Sequence, residues 1–196
     1  SAALDGIRGE WGPISAVVHG AGVLADKRIA DKSPSDFEWV FNVKVGGIQA
    51  LFQATESDPL KAIILFSSVA ARSGNQGQSD YAAANEVLNK IAHREAASRP
   101  GCIVKSLGWG PWEGGMVTPA LKAHFESMGV PLIPIEGGAR ALVDELRGQD
   151  ATEMVLGGAE GLSASMDGAK FHLFLHPRTH FHLFDHQVKG QVVAPM

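Results

Sequence analysis

The 196-residue sequence predicts an α/β protein built on a doubly wound parallel sheet. The first observation is order: short apolar runs alternate with helix-period segments as strand, helix, strand, helix, strand, helix, strand. The second is the run KAIILF at 61–66, apolar without a break from Ala62 on, as in a strand covered on both faces. The third is placement. His19-Gly20-Ala21-Gly22, Ser67-Ser68 and Gly108-Trp109-Gly110-Pro111 each lie just past the carboxyl end of a predicted strand, where such sheets bind their ligands.

The elements follow in order. ISAVV at 14–18 is a β-branched run ending on a glycine turn, hence a buried strand. Ser33 is an N-cap with Pro34 at the first helical position. Phe37, Val40, Phe41, Val45, Ile48, Leu51 and Phe52 then recur at helical steps. KAIILF is the second strand, and SSVAARSGNQGQS is a polar connection. From Asp80, DYAAANEVLNKIAHREAASR is alanine-rich and stops before Pro100-Gly101, a helix. CIVKSLGW at 102–109 is the third strand. Residues 110–134 form a long loop carrying a short helix, LKAHFESM. EGGARALVDELRG is another helix, and TEMVLGG a last strand.

Composition excludes several classes. Hydrophobic residues are 45% and charged residues 19%, the balance of a soluble globular chain, and the net charge of −4 offers no basic surface for nucleic acid. No apolar run approaches the ~18 residues of a membrane span. The first residues lack the pattern of a signal peptide. Cys102 is the single cysteine, so no internal disulfide forms, in keeping with a reducing compartment. The chain begins on Ser1 rather than Met and is expected to be cut from a longer polypeptide.

The stretch SSVAARSGNQGQSDYAAAN, 67–85, carries the candidate chemistry. A tyrosine hydroxyl has a pKa of about 10. To move protons near neutral pH it needs a nearby cation and a hydrogen bond to its oxygen. Ser68 ends a strand and Tyr81 begins a helix, so the loop between them can bring both to one point. Four residues beyond Tyr81 stands Asn85, not a lysine. Lys90 is two and a half turns away. Lys44, on the preceding helix, is the remaining candidate cation.

These residues resemble the catalytic segment of short-chain dehydrogenases/reductases, most of which carry Y-x-x-x-K. Here the motif reads Y-A-A-A-N, and a lysine stands in N-V-K-V-G-G. That exchange is similar to the ketoreductase domains of type I polyketide synthases and related fatty-acid synthases. V-V-H-G-A-G-V-L, I-L-F-S-S-V-A-A, G-Q-S-D-Y-A-A-A-N and L-G-W-G-P-W-E-G-G-M resemble that subfamily in the same order. G-Q-S-D-Y and G-P-W-E-G-G-M-V-T-P-A-L are most similar to the ketoreductases of polyunsaturated-fatty-acid synthases. The resemblance covers residues 12–159 and implies the C-terminal part of a Rossmann-like reductase fold.

The resemblance implies that NADPH delivers hydride to the β-carbon of a β-ketoacyl thioester carried on the phosphopantetheine of an acyl carrier protein. Tyr81 would protonate the nascent alkoxide, and Ser68 would hydrogen-bond the ketone oxygen. Lys44 would sustain the relay and lower the pKa of Tyr81, while Asn85 holds a water or the lysine. Ala21, Gly22, Tyr81, Pro111 and Trp112 would lie against the cofactor. Asp26 and Met116 would face the substrate, with 113–134 as a lid. Trp109 and Trp112 read alternatively as core fillers, and Asp26, Lys27, Asp31 and Lys32 as a solvated loop. No glycine-rich phosphate loop is present, so the unit anchoring the dinucleotide is expected upstream. On that basis residues 1–159 are a ketoreductase domain lacking its first βαβ unit.

The tail changes character. Residues 160–170 read as a linker, and 171–196 hold five of the eight histidines. His172, His176, His180, His182 and His186 have spacings a helix could use for a metal, but Pro177 interrupts it and no carboxylate or cysteine completes the set, so no metal site is expected. H-Q-V-K-G-Q-V-V-A-P, 186–195, instead resembles the H-x-x-x-G-x-x-x-x-P motif of hot-dog-fold dehydratases. That implies the start of a dehydratase domain, with His186 abstracting the α-proton of a β-hydroxyacyl thioester. The expected setting is a cytoplasmic multidomain synthase with neither nucleic-acid nor membrane partner. A competing reading is a non-catalytic structural half of a split reductase domain. A free-standing reductase is disfavoured by the tail.

Overall fold

The computed structural model describes residues 2–115, 117–127, 129–148, 151–157, 187–188 and 191–192. The chain divides into two compact units, Ser1–Leu162 and Ser163–Met196. In the first, strands β1 (Ala16–His19), β2 (Ala62–Ser68), β3 (Ile103–Trp109) and β4 (Glu153–Leu156) form one sheet in the order β1-β2-β3-β4. Every pairing is parallel, with His19 opposite Leu65, Ser68 opposite Trp109, and Trp109 opposite Leu156. The doubly wound α/β expectation is met. In the second unit the described residues are two short antiparallel strands, β5 (Gln187–Val188) and β6 (Gln191–Val192). His186 and the stretch 160–170 lie outside the described residues.

Alternation along β2 explains two cores, since successive strand side chains point to opposite faces. Ile63 and Leu65 join Val17, Val104 and the inner face of α5 (Ser79–Ser98), where Ala84, Leu88, Ile91 and Ala92 recur at helical steps. Ile64 faces the other way, with Leu107 and Trp109, under α7 (Ile135–Arg147). β1 is covered on one face only: Val17 is buried, while Val18 is 56% exposed.

Three elements depart from the sequence reading. α1 (Ala2–Trp11) was not expected, because its sequence has little apolar periodicity; Arg8 anchors it by bonding Asp58 at 2.6 Å and the carbonyl of Ala54 at 2.6 Å. The helix expected from Ser33 onward is three pieces, α2 (Pro34–Phe41), a π turn (Asn42–Gly46) and α3 (Gly47–Ala54). A short helix, α4 (Ala70–Ser73), interrupts the polar connection after β2. The Ser33 cap is as expected: its side chain accepts from the backbone of Asp36, whose carboxylate accepts in return from Ser33. α6 (Pro119–Ser127) lies in the long loop. That loop's ends are joined, Glu113 N–H donating to the Ile133 carbonyl and Ile133 N–H to the Pro111 carbonyl, both at 2.8 Å. Among the described residues, no helix is long and apolar enough to cross a membrane.

Candidate active site

The site is built at the carboxyl edge of β1, β2 and β3. Lys44 reaches it from the π turn, a helix irregularity frequent at functional positions. Its side chain is 3% exposed, and Nζ donates to the Phe66 carbonyl at 3.0 Å. Burial alone pushes its pKa down to about 8. The same Nζ stands 5.3 Å from the centre of the Tyr81 ring, in cation–π geometry.

What holds the π turn is His19, the last residue of β1. The imidazole is buried, and its Nε2 lies 2.8 Å from the backbone oxygen of Lys44. A carbonyl only accepts, so Nε2 carries the hydrogen. The helix gives close room for the ring, because a Cβ at Gly47 would stand 3.0 Å from His19 Cε1. Burial keeps the His19 pKa below its ordinary value, and the ring neutral, against the hydrogen bond to the Lys44 carbonyl and with a smaller push from the Lys44 charge. The H-G-A-G turn was noticed in the sequence for its glycines; the contact that gives His19 its part exists only once β1 and the π turn meet.

Tyr81 sits in the first turn of α5, a 20-residue helix whose N-terminal dipole favours negative charge. Burial raises the phenol pKa; hydrogen bonding with Asn85 and then Ser68 opposes it, and the charge of Asp26 adds to the rise. Burial prevails, so the phenol keeps its proton at neutral pH. Asn85 is fully buried, and its amide donates to the Tyr81 carbonyl at 2.8 Å. Its backbone oxygen accepts from Ser67 at 3.2 Å, which ties this turn of α5 to β2. Its Oδ1 has no hydrogen-bond partner among the described residues. Ser68 also serves locally, accepting from Ala70 N–H at 3.1 Å.

The structure therefore brings Lys44, Ser68, Tyr81 and Asn85 together. Asp26 is exposed at the rim, where its carboxylate accepts from Gln78 at 2.9 Å. Trp109 is core, 5% exposed, with Trp112 edge-on to it at 4.8 Å. The Trp112 ring also packs on Gly138, where a Cβ would come within 2.2 Å of it. Met116 lies outside the described residues. One expectation is corrected: the Lys32 side chain is not solvated but 3% exposed, and it pairs at 2.7 Å with the Asp80 side chain, 1% exposed. Its partner lies on a distant helix, so its neighbours in sequence gave no sign of it.

Gly20 and Ala21 are small and lie at the strand edge, and a Cβ at Gly22 would stand 3.2 Å from Lys44 Cε. Among the described residues, no glycine-rich strand-to-helix turn offers backbone amides to a pyrophosphate.

Residues 1–114 match the family model described as KR domain. A polyunsaturated fatty acid synthase polypeptide of Thraustochytrium sp. is 41% identical over 187 residues, which are 94% of this chain and 7% of that protein. Erythronolide synthase EryA2 of Saccharopolyspora erythraea is 38% identical over 145 residues, 74% of this chain and 4% of that protein. Among solved structures, the ketoreductase from the first module of phoslactomycin biosynthesis in a Streptomyces species aligns with a TM-score of 0.72 at 30% identity, covering 81% of this chain and 36% of that one. The first ketoreductase of the tylosin polyketide synthase aligns at 0.68 and 34% identity, covering 81% and 35%. The chain thus spans a small fraction of the synthases it matches and about a third of each ketoreductase structure. With the family model matched over more than half of the sequence, and a parallel sheet that superposes on solved ketoreductases, the chain belongs to the KR, or ketoreductase, domain family.

Proposed function

We propose that this chain forms the catalytic part of a β-ketoacyl reductase that converts a carrier-bound β-ketoacyl thioester to the β-hydroxyacyl product. The observation that carries the proposal is the convergence of Lys44, Ser68, Tyr81 and Asn85 from three separate segments on one sheet edge. Ala21, Gly22, Tyr81, Pro111 and Trp112 would hold NADPH, which when bound would supply the hydride for the β-carbon. The Ser68 hydroxyl and the Tyr81 phenol hydrogen-bond the ketone oxygen and stabilise the charge that develops there. As the carbonyl π pair moves to oxygen, Tyr81 gives its proton to the alkoxide. Lys44 then restores the proton through the relay, with Asn85 Oδ1 as its neighbouring acceptor. Asp26 and the loop over 113–134 would face the acyl chain.

The pyrophosphate and adenosine end of the cofactor would be held by residues outside this chain. The bare face of β1 at Val18 supports that reading, since a strand of a parallel sheet is ordinarily covered on both faces. The acyl carrier protein and the other domains of a synthase are the partners, and a dehydratase beginning near residue 171, with His186 as its base, would take the product.

The test is reduction of acetoacetyl-N-acetylcysteamine with NADPH, by the full-length polypeptide and by residues 1–196 alone. The full polypeptide should form the 3-hydroxy product and the segment alone should not. Turnover by the segment alone would overturn the divided cofactor site. A full polypeptide that never reduces the ketone would favour the structural-half reading instead.

A further inference from the structure

We propose that the buried Lys32–Asp80 ion pair is a positioning clasp, fixing the loop over residues 23–33 against the N-terminus of α5 so that Tyr81 is held in register with the site. The inference rests on the reading of Tyr81 as the proton donor. Lys32 Nζ lies 2.7 Å from Asp80 Oδ2 and donates to the Ala25 carbonyl at 2.6 Å. The other oxygen of the same carboxylate accepts from the Tyr81 backbone N–H at 2.9 Å. One carboxylate therefore joins the loop to the backbone of the reactive tyrosine. Two further links run in parallel: Lys27 N–H to the Gly77 carbonyl at 3.0 Å, and Gln78 to Asp26 at 2.9 Å. Asp26, whose charge acts on the Tyr81 phenol, rides on the clasped loop.

Stability does not account for this pair. Removing two charges from water costs about what their attraction returns, and well-packed apolar residues of the same volume often do as well or better. What the pair supplies is direction, since a charge-assisted hydrogen bond fixes donor and acceptor to one geometry. The neighbouring Lys27–Asp36 pair is a contrast, with side chains 49% and 22% exposed; such surface pairs contribute little.

The experiment uses the full-length polypeptide with acetoacetyl-N-acetylcysteamine and NADPH. It compares Lys32→Met, Lys32→Arg and the double variant Lys32→Met/Asp80→Leu, which leaves no unpaired buried charge. The double variant should keep its melting temperature and its KM for NADPH while kcat falls roughly tenfold to a hundredfold, the scale of an ångström-sized misplacement. Lys32→Arg should retain kcat within a few-fold, and Lys32→Met should not. If the double variant folds and its kcat matches the parent, the clasp is structural only and the proposal fails. If the double variant does not fold, the single variants decide: equal kcat for Lys32→Arg and Lys32→Met overturns it. Tyr81→Phe in the same assay separates the two ideas, since activity that survives it refutes the donor role whatever the Lys32 variants do.

Discussion

Lys44 Nζ stands over the Tyr81 ring at 5.3 Å, although one residue comes from the helix after β1 and the other from the helix after β2. The ammonium is thus delivered to the tyrosine from a neighbouring helix, and it arrives through a π turn pinned by His19. The consequences are measurable.

The first concerns pH. In the proposed relay Lys44 must be protonated, and burial has brought its pKa to about 8. The protonated fraction falls as pH rises through that value. kcat measured from pH 6 to 10 at saturating substrate should decline above about pH 8. An unburied lysine would sustain the rate to about pH 10. A flat profile across pH 8 would remove Lys44 from the relay.

The second concerns stability. The folded pKa of Lys44 is depressed, so between about pH 8 and its ordinary value of 10.5 the unfolded chain binds more protons. The cost of burying the charge is fully present below pH 8 and is relieved as pH rises from there. Lys44→Met should therefore stabilise the fold at pH 7, by on the order of 1–3 kcal/mol, while lowering kcat about 10²–10⁴-fold. Denaturant midpoints and steady-state rates measured together test this, and a variant both less stable and fully active contradicts it.

The third concerns His19. Replacing it with Leu removes the ring's bond to the buried Lys44 carbonyl, which keeps only the Gly47 N–H as a donor, at a cost of about 1 kcal/mol, and loosens the π turn. His19→Gln places an amide N–H at the reach of Nε2 and should recover most of both stability and kcat. The folded pKa of His19 is also depressed, so its contribution is present above about pH 6.5 and is lost as pH falls below that. The stability difference between the parent and His19→Gln should shrink on acidification. A difference independent of pH would mean that the ring is not held neutral.

Much of this architecture was legible in the sequence. The run Ile63-Ile64-Leu65 announced a strand buried on both faces, and all three residues are at most 1% exposed. Lys44 falls in step with Val40 and Ile48 at four-residue intervals, and all three are buried. Hence a lysine on the core stripe could be singled out without coordinates. What could not be read depends on partners distant in sequence. The π turn needs the His19 ring from β1. The burial of Lys32 needs Asp80 from α5, while its own neighbours are polar. α1 needs Arg8 to meet Asp58. Trp112 was expected against the cofactor with a core role as the alternative, and the Gly138 surface that its ring packs on belongs to a helix distant in sequence.

The central claim is that Tyr81 donates the proton in ketone reduction. Its most direct test is Tyr81→Phe in the full-length polypeptide, assayed with acetoacetyl-N-acetylcysteamine and NADPH beside a binding measurement for NADPH. The account predicts that kcat falls at least about a hundredfold while NADPH affinity and melting temperature stay near the parent values. Undiminished kcat would contradict it.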